Sequence, residues 1–294
     1  MRFLKAIFVC SEFEKSELSN TLQSEKIIFR TMISSTEALR LANALEQAEQ
    51  NAVQMPVISA QIEKMSFQDA YAVQDAWVNL KTEKGGVRVG HKIGLTSVVM
   101  QRAFGIDEPD FGVLFQDMVY ESGANISVES LIEPRIEAEL AFYFKKDVAL
   151  DVVDINSLLA CVDYIVPCLE LIDFRVTAST NGTNRTVKDT ISDNAANCAI
   201  VLGDKKIPLE ADLAWIAATL RKNGVLEASG VSGAVLDHPV NSILWLNQKY
   251  KEFGRTIKAG EMVLAGSFVS PIPVSKGDKI EVDYNQFGKI MCSF

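Results

Sequence analysis

Glu137 and Glu139 lie two residues apart in an alternating stretch, Pro134-Arg135-Ile136-Glu137-Ala138-Glu139-Leu140-Ala141-Phe142-Tyr143-Phe144. In an extended strand Ile136, Ala138, Leu140, Phe142 and Phe144 point to one face and both glutamates to the other. The two carboxylates then stand about 7 Å apart along the strand. Bare, they repel. A divalent cation between them removes that cost, and oxygen ligands suit Mg2+, Mn2+ or Ca2+. The same alternation describes any half-exposed strand, where Glu is common on the outer face. A third carboxylate changes the weighing. Glu170 falls inside Tyr164-Ile165-Val166-Pro167-Cys168-Leu169-Glu170-Leu171-Ile172-Asp173, a run apolar on both faces that reads as a buried strand. A buried carboxylate must find a cation or hydrogen-bond donors. An ion pair with Arg135 or Arg175 satisfies Glu170, and so does a metal shared with the other two glutamates. The residues alone leave both readings open.

The elements that must carry these groups are legible in outline. Ser34-x-x-Glu37 and Ser66-x-x-Asp69 are capping boxes that open two helices. Leu41, Leu45 and Ala48 mark the buried face of the first; Ala70, Val73, Trp77 and Leu80 mark that of the second, which Gly85-Gly86 ends. Residues 87–94 read as a strand leading into a turn. From Glu133 onward strand signals dominate: 136–144, 162–172, 198–202 and 213–222, then a hairpin turn at Asn223-Gly224 returning along 225–229. Asp237-His238-Pro239 starts a helix that runs to Gly254. Residues 262–265, 279–284 and 289–294 are short closing strands. The expected class is α+β, a smaller helical part over residues 32–95 on a β-rich body over residues 96–294.

Composition narrows the partners. Of 294 residues 48% are hydrophobic and 23% charged, ordinary for a soluble globular protein with a sizeable core. A net charge of −9 argues against nucleic acid, which asks for a basic patch. The five cysteines, Cys10, Cys161, Cys168, Cys198 and Cys292, form no CxxC or zinc spacing and fit a reducing cytoplasm. The apolar run Ala6-Ile7-Phe8-Val9-Cys10 is too short for a signal-peptide core, and no run of about 18 apolar residues suggests a membrane span. Residues 1–31 read as an N-terminal extension that packs poorly, with residues 32–294 as a single domain.

Five segments together carry a family resemblance: Gly90-His91-Lys92-Ile93-Gly94-Leu95-Thr96-Ser97, Glu108-Pro109-Asp110-Phe111-Gly112, Pro134-Arg135-Ile136-Glu137-Ala138-Glu139, Leu169-Glu170-Leu171-Ile172-Asp173 and Asp189-Thr190-Ile191-Ser192-Asp193-Asn194-Ala195-Ala196-Asn197. The chain from about Met32 to Phe294 resembles the 2-keto-4-pentenoate hydratases and 4-oxalocrotonate decarboxylases of the fumarylacetoacetate-hydrolase superfamily, and among them the 2-oxo-hept-4-ene-1,7-dioate hydratases. The resemblance implies the superfamily's rolled β fold, Mg2+ (or Mn2+) on Glu137, Glu139 and Glu170, and a homo-oligomer in the cytoplasm. It implies a small 2-oxo acid substrate and water addition at its 4,5 double bond, in the breakdown of aromatic compounds.

Such chemistry needs a proton donor and acceptor. Lys92, in the GHKIGLTS match, is expected to be a partly desolvated acid/base with a lowered pKa; without the match it would read as a snorkelling surface residue. Asp110 is its expected partner or else a turn residue. Asp193, Asn194 and Ser267 are family-like loop residues expected to hold the keto-acid carboxylate or a water. Arg185, with Lys188 second, is expected to bind the far carboxylate of a diacid from a polar, loop-like segment. Two alternatives stand beside hydration. 4-Oxalocrotonate decarboxylation uses the same fold and metal. A non-catalytic partner subunit is the other, and the intact glutamate set speaks against it.

Overall fold

Ser34 caps the first helix, α1 (Ser35–Asn51), through Glu37 N, but the box is only half made: the Glu37 carboxylate turns to Arg40 at 2.7 Å. Ser66 and Asp69 make the full reciprocal box at α2 (Phe67–Glu83). Leu41 and Leu45 of α1 and Val73 and Trp77 of α2 are fully buried in one common core. The computed structural model describes residues 32–294. The expected extension, residues 1–31, lies outside the described residues.

The chain then forms β1 (Arg88–Gly94), α3 (Val98–Phe104), β2 (Asp110–Phe115), β3 (Val119–Glu121), β4 (Ala124–Asn125) and β5 (Arg135–Phe144). α4 (Ile155–Leu159) leads into β6 (Val162–Ile172), followed by the small hairpin β7 (Ser179–Thr180) and β8 (Thr183–Asn184). Next come α5 (Val187–Ser192), β9 (Asn197–Leu202), β10 (Ala217–Lys222) and β11 (Val225–Val231). α6 (Pro239–Glu252), β12 (Met262–Leu264), β13 (Ile272–Pro273), β14 (Lys279–Asp283) and β15 (Lys289–Ser293) complete the chain.

Most expected elements are present within a residue or two. Residues 213–215 are a 3-10 turn, so the strand expected from 213 starts at Ala217. Asp110 sits in strand β2 rather than in a turn. The segment expected to be loop-like after Asn184 closes into α5, because Thr186 and Asp189 form a capping box. The large sheet has the order β2-β1-β12-β5-β6-β9-β3, with β13 added to β5; the second sheet is β11-β10-β14-β15-β4. Residues 33–294 form one unit, and β1, read with the helical part, joins the large sheet. β5 and β6 lie at its centre. Ile136, Ala138, Leu140, Phe142 and Phe144 enter the main core from one face of β5, as the alternation predicts. The glutamate face is covered as well: Ala141 packs there with Val166, Cys168 and Leu264.

Candidate metal centre and active site

β5 and β6 run antiparallel, and their register sets Glu137 directly opposite Glu170. Glu139 follows two residues along the same face. One carboxylate oxygen from each of the three lies within 4.8 Å of the others. Glu139 and Glu170 are fully buried and Glu137 is half-buried at the edge of a cavity of about 540 Å³. Gly266 N donates to Glu139 Oε2 at 2.8 Å. Gly266 has φ +111°, and a Cβ there would lie 2.3 Å from Thr96 Oγ1, so the backbone approach that fixes Glu139 requires glycine.

β1 and β2 bring in two more charges. Lys92 Nζ ion-pairs with Glu170 Oε1 at 3.2 Å and donates to Ala195 O at 3.0 Å. Asp110 pairs with Gly94 across the β1–β2 ladder, and a Cβ on Gly94 would lie 2.2 Å from Asp110 Oδ1. Beyond the Lys92 ion pair, neither carboxylate oxygen of Glu170 is satisfied by a well-aligned donor among the described residues, and the two Asp110 oxygens have none either. Four buried or half-buried carboxylates thus face one ammonium. Burial first, and then the Glu170 carboxylate, raise the Glu137 carboxyl to about 8 against the pull of Lys92. Glu139 is raised for the same two reasons. Burial raises Glu170 while Lys92 pulls it down. Asp110 is pushed up to about 6 by burial against the pull of Lys92. The expectation of a lowered Lys92 pKa is overturned: burial does lower it, but Glu170, Asp110, Glu137 and Glu139 outweigh burial and the net shift is upward.

These observations test the fit of a cation. The donors are hard oxygens, they converge, and four carboxylates share the single ammonium of Lys92; this suits a divalent ion with oxygen ligands. The alternative of an arginine partner for Glu170 is not what forms. Arg135 Nη2 pairs with Glu133 at 2.8 Å and Arg175 with Asp193 at 2.6 Å.

The remaining expected residues divide. Arg185 and Ser267 line the cavity with Lys92, Asp110, Glu137 and Glu139. The Ser267 hydroxyl donates to Val269 O at 2.8 Å, so it shapes a turn at the cavity wall. Lys188 is not among the lining residues and lies 5.6 Å from the Phe67 ring centroid. Asp193 and Asn194 do not line it either. Asp193 is committed to Arg175, and the Asn194 amide closes both its bonds on the Val113 backbone, donating to O and accepting from N. Residues next to them do the lining: Asn194, Ala195 and Ala196 all have φ between +52° and +57°, which turns Ala195 and Ala196 toward the cavity. Nothing in an Asn-Ala-Ala triplet signals three left-handed residues in a row. The sequence reading also passed over Thr96, Phe174 and Arg135 as cavity residues. Arg135 could have been found, since it shares the strand face of Glu137 and Glu139.

No protein-family model matches the chain. It is 44% identical over 257 residues to the 2-oxo-hept-4-ene-1,7-dioate hydratase of Escherichia coli, covering 86% of this chain and 96% of that one. It is 34% identical over 254 residues to a 2-keto-4-pentenoate hydratase of Paraburkholderia xenovorans (strain LB400), covering 86% and 93%. Its structure matches that of the 4-oxalocrotonate decarboxylase from Pseudomonas putida G7 complexed with magnesium and adipate, with a TM-score of 0.85 and 30% identity over 90% of this chain and 99% of that one. Among the described residues no helix is long and apolar enough to cross a membrane. With 44% and 34% identity to these hydratases over 86% of its length and a carboxylate triad set in a cavity, the chain belongs to the 2-oxo-hept-4-ene-1,7-dioate and 2-keto-4-pentenoate hydratase family of the fumarylacetoacetate-hydrolase superfamily.

Proposed function

We propose that this chain adds water across the 4,5 double bond of a 2-oxo-alkenoate, converting 2-oxohept-4-ene-1,7-dioate to 4-hydroxy-2-oxoheptane-1,7-dioate. The observation that carries the reading is the convergence of Glu137, Glu139 and Glu170 at the wall of a cavity that also holds Lys92 and Asp110. The three glutamates hold Mg2+ or Mn2+, which when bound supplies a Lewis acid for the substrate's carboxylate and C2 carbonyl oxygens. The 4,5 double bond is not conjugated to that carbonyl. Moving a proton from C3 to C5 conjugates the alkene; water then adds at C4 and a proton returns to C3. Asp110, with its carboxyl near 6, is the group able to take and return a proton around neutral pH. Lys92, kept protonated by the carboxylates around it, is the donor and holds the site's charge balance.

The diacid hydratase of Escherichia coli, at 44% identity, supports hydration of a dioate. The structural likeness to a 4-oxalocrotonate decarboxylase keeps decarboxylation as the second reading. A homo-oligomer is carried on the family resemblance alone, and the free Cys161, Cys168, Cys198 and Cys292 fit a cytoplasmic setting. Product analysis decides the reaction. The Mg2+-loaded protein is incubated with the seven-carbon dioate, with 2-oxopent-4-enoate and with 4-oxalocrotonate. Hydroxy acid from the first is expected; CO2 from the third without any hydration would transfer the assignment to the decarboxylase. Lys92→Met is expected to lower kcat by about 10²-fold or more, the usual weight of a general acid/base, while Mg2+ affinity stays within a few-fold. Full activity in that variant removes Lys92 from the chemistry.

A further inference from the structure

The cavity has a second charged end. Arg135 stands two residues before Glu137 on the same face of β5, hence about 7 Å along the strand from it. Arg185, between β8 and α5, lines the same cavity, and the two guanidinium groups are near enough to repel each other. Both are underused. The Arg185 guanidinium donates once, from Nη1 to Val176 O at 2.7 Å, and lies 3.9 Å over the Phe174 ring. Among the described residues it makes no ion pair. Its other N–H groups therefore remain for a ligand. Arg135 spends Nη2 on Glu133, while its buried Nε has no acceptor.

We propose that Arg185, assisted by Arg135, binds the second carboxylate of a dicarboxylic 2-oxo acid and makes the site selective for diacids. The inference rests on the hydratase reading for the placement of the first carboxylate at the glutamate triad. The span matches the strand spacing of Arg135 from Glu137: six carbon–carbon bonds of about 1.5 Å zigzag to about 7–8 Å between the terminal carboxyl carbons of a seven-carbon diacid. A five-carbon monoacid ends short of the arginines and carries nothing for them to bind. The scaffold suits recognition of a planar anion. Phe174 stacks the guanidinium of Arg185 and Val176 O fixes its rotation, so the fork is oriented before the ligand arrives. Backbone pairing of Arg185 N with Ala178 O at 2.9 Å anchors the residue itself. Glu133 is the competing anion. Its side chain and that of Arg135 are 41% and 37% exposed, so their pairing is screened by water and leaves Arg135 available. Lys188, on the neighbouring helix, lines no part of the cavity and takes no share.

The test is a ratio. For Arg185→Met the kcat/KM for 2-oxohept-4-ene-1,7-dioate divided by that for 2-oxopent-4-enoate is expected to fall about 10- to 100-fold, the range of a charge-assisted hydrogen bond. Arg185→Lys, which keeps the charge and loses the fork, is expected to fall in between. A second readout needs no turnover: calorimetry of the Mg2+-loaded protein with adipate and with hexanoate. Wild type is expected to prefer adipate, and Arg185→Met to lose that preference. An unchanged kinetic ratio together with an unchanged adipate preference overturns the inference. If wild type hydrates neither acid, the hydratase reading falls, and the adipate preference still decides the role of Arg185. Arg135→Met should move both readouts in the same direction, and its failure to do so overturns the share given to Arg135.

Discussion

Asp193→Asn is expected to be among the most destabilising single substitutions in this chain, with no part in substrate binding. Arg175 and Asp193 are each 1% exposed. The Asp193 carboxylate accepts from Arg175 N at 2.9 Å and from Nε at 2.6 Å, while Asp193 O and Asn197 O take the two remaining guanidinium nitrogens at 2.8 and 2.9 Å. Trp77 closes the other side, 5.1 Å from the guanidinium carbon. Asparagine keeps an acceptor in place and removes the charge, leaving an unpaired cation in a site closed to bulk solvent. Breaking a buried pair in this way costs about 3–5 kcal/mol, and asparagine should fall near the lower bound and Asp193→Ala near the upper. At about 2–4 °C per kcal/mol for a chain of this size, the melting temperature should drop by about 6–20 °C. Urea unfolding at fixed protein concentration measures it, with a lowered midpoint and an unchanged slope. The double variant Arg175→Met with Asp193→Leu should recover only part of the loss, since it removes the unpaired charge but takes the side-chain partners from Arg175 N, Asp193 O and Asn197 O. A loss below about 1 kcal/mol, or a raised KM with unaltered stability, would falsify this reasoning and return Asp193 to the substrate.

Glu170→Gln should abolish the rise in melting temperature that millimolar Mg2+ gives wild type, because bound ion stabilises only the folded chain. In metal-free buffer Glu137→Gln should be more stable than wild type, since it removes one of two carboxylates set opposite each other across β5 and β6 and leaves the Lys92–Glu170 ion pair intact; a less stable metal-free variant refutes the repulsion. His238 titrates in the other direction from the carboxylates. Its pKa is lowered by burial, with Asp212 pulling it partly back, and its Nδ1 accepts from Val240 N at 3.2 Å to cap α6. A base with a depressed folded pKa supports the fold above the unfolded value, 6.5, and loses that support as pH falls below it. Asn is also a good N-cap and does not titrate, so His238→Asn should lose less stability than wild type between pH 7.5 and 5. Parallel losses would assign the acid sensitivity elsewhere.

The carboxylate face of β5 and the burial of Glu170 were legible because each is a local pattern: a two-residue period, and one charge in an apolar run. That Glu137 faces Glu170 was not, since the two are 33 residues apart (170 − 137) and register between such strands is set by the whole sheet. Asp193 and Asn194 sit in a motif that does border the cavity, but three left-handed residues in a row, Asn194, Ala195 and Ala196, swing the backbone of the two alanines inward and leave the Asp and Asn side chains for Arg175 and Val113. Lys92 was misjudged in sign because desolvation was weighed without the carboxylates that β2, β5 and β6 bring to it. The capping box of α5 was visible in Thr186 and Asp189, yet nothing nearby showed that the same Asp189 carboxylate would also bind Ser59, 130 residues upstream.

The pairing of Glu137 with Glu170 has a consequence for how this lineage can change length. Side chains alternate along a strand, so inserting or deleting one residue within β5 or β6 turns every following side chain to the opposite face. Such an event between Ile136 and Leu140 would drive a glutamate into the apolar core and a core residue into the cavity, and no compensating point mutation restores both. Loops such as residues 145–154, between β5 and α4, carry no such constraint. Length variation among functional descendants should therefore be absent from β5 and β6 and gather in those loops, and a deep mutational scan that includes single-residue indels would show the two strands as a sharply bounded intolerant block.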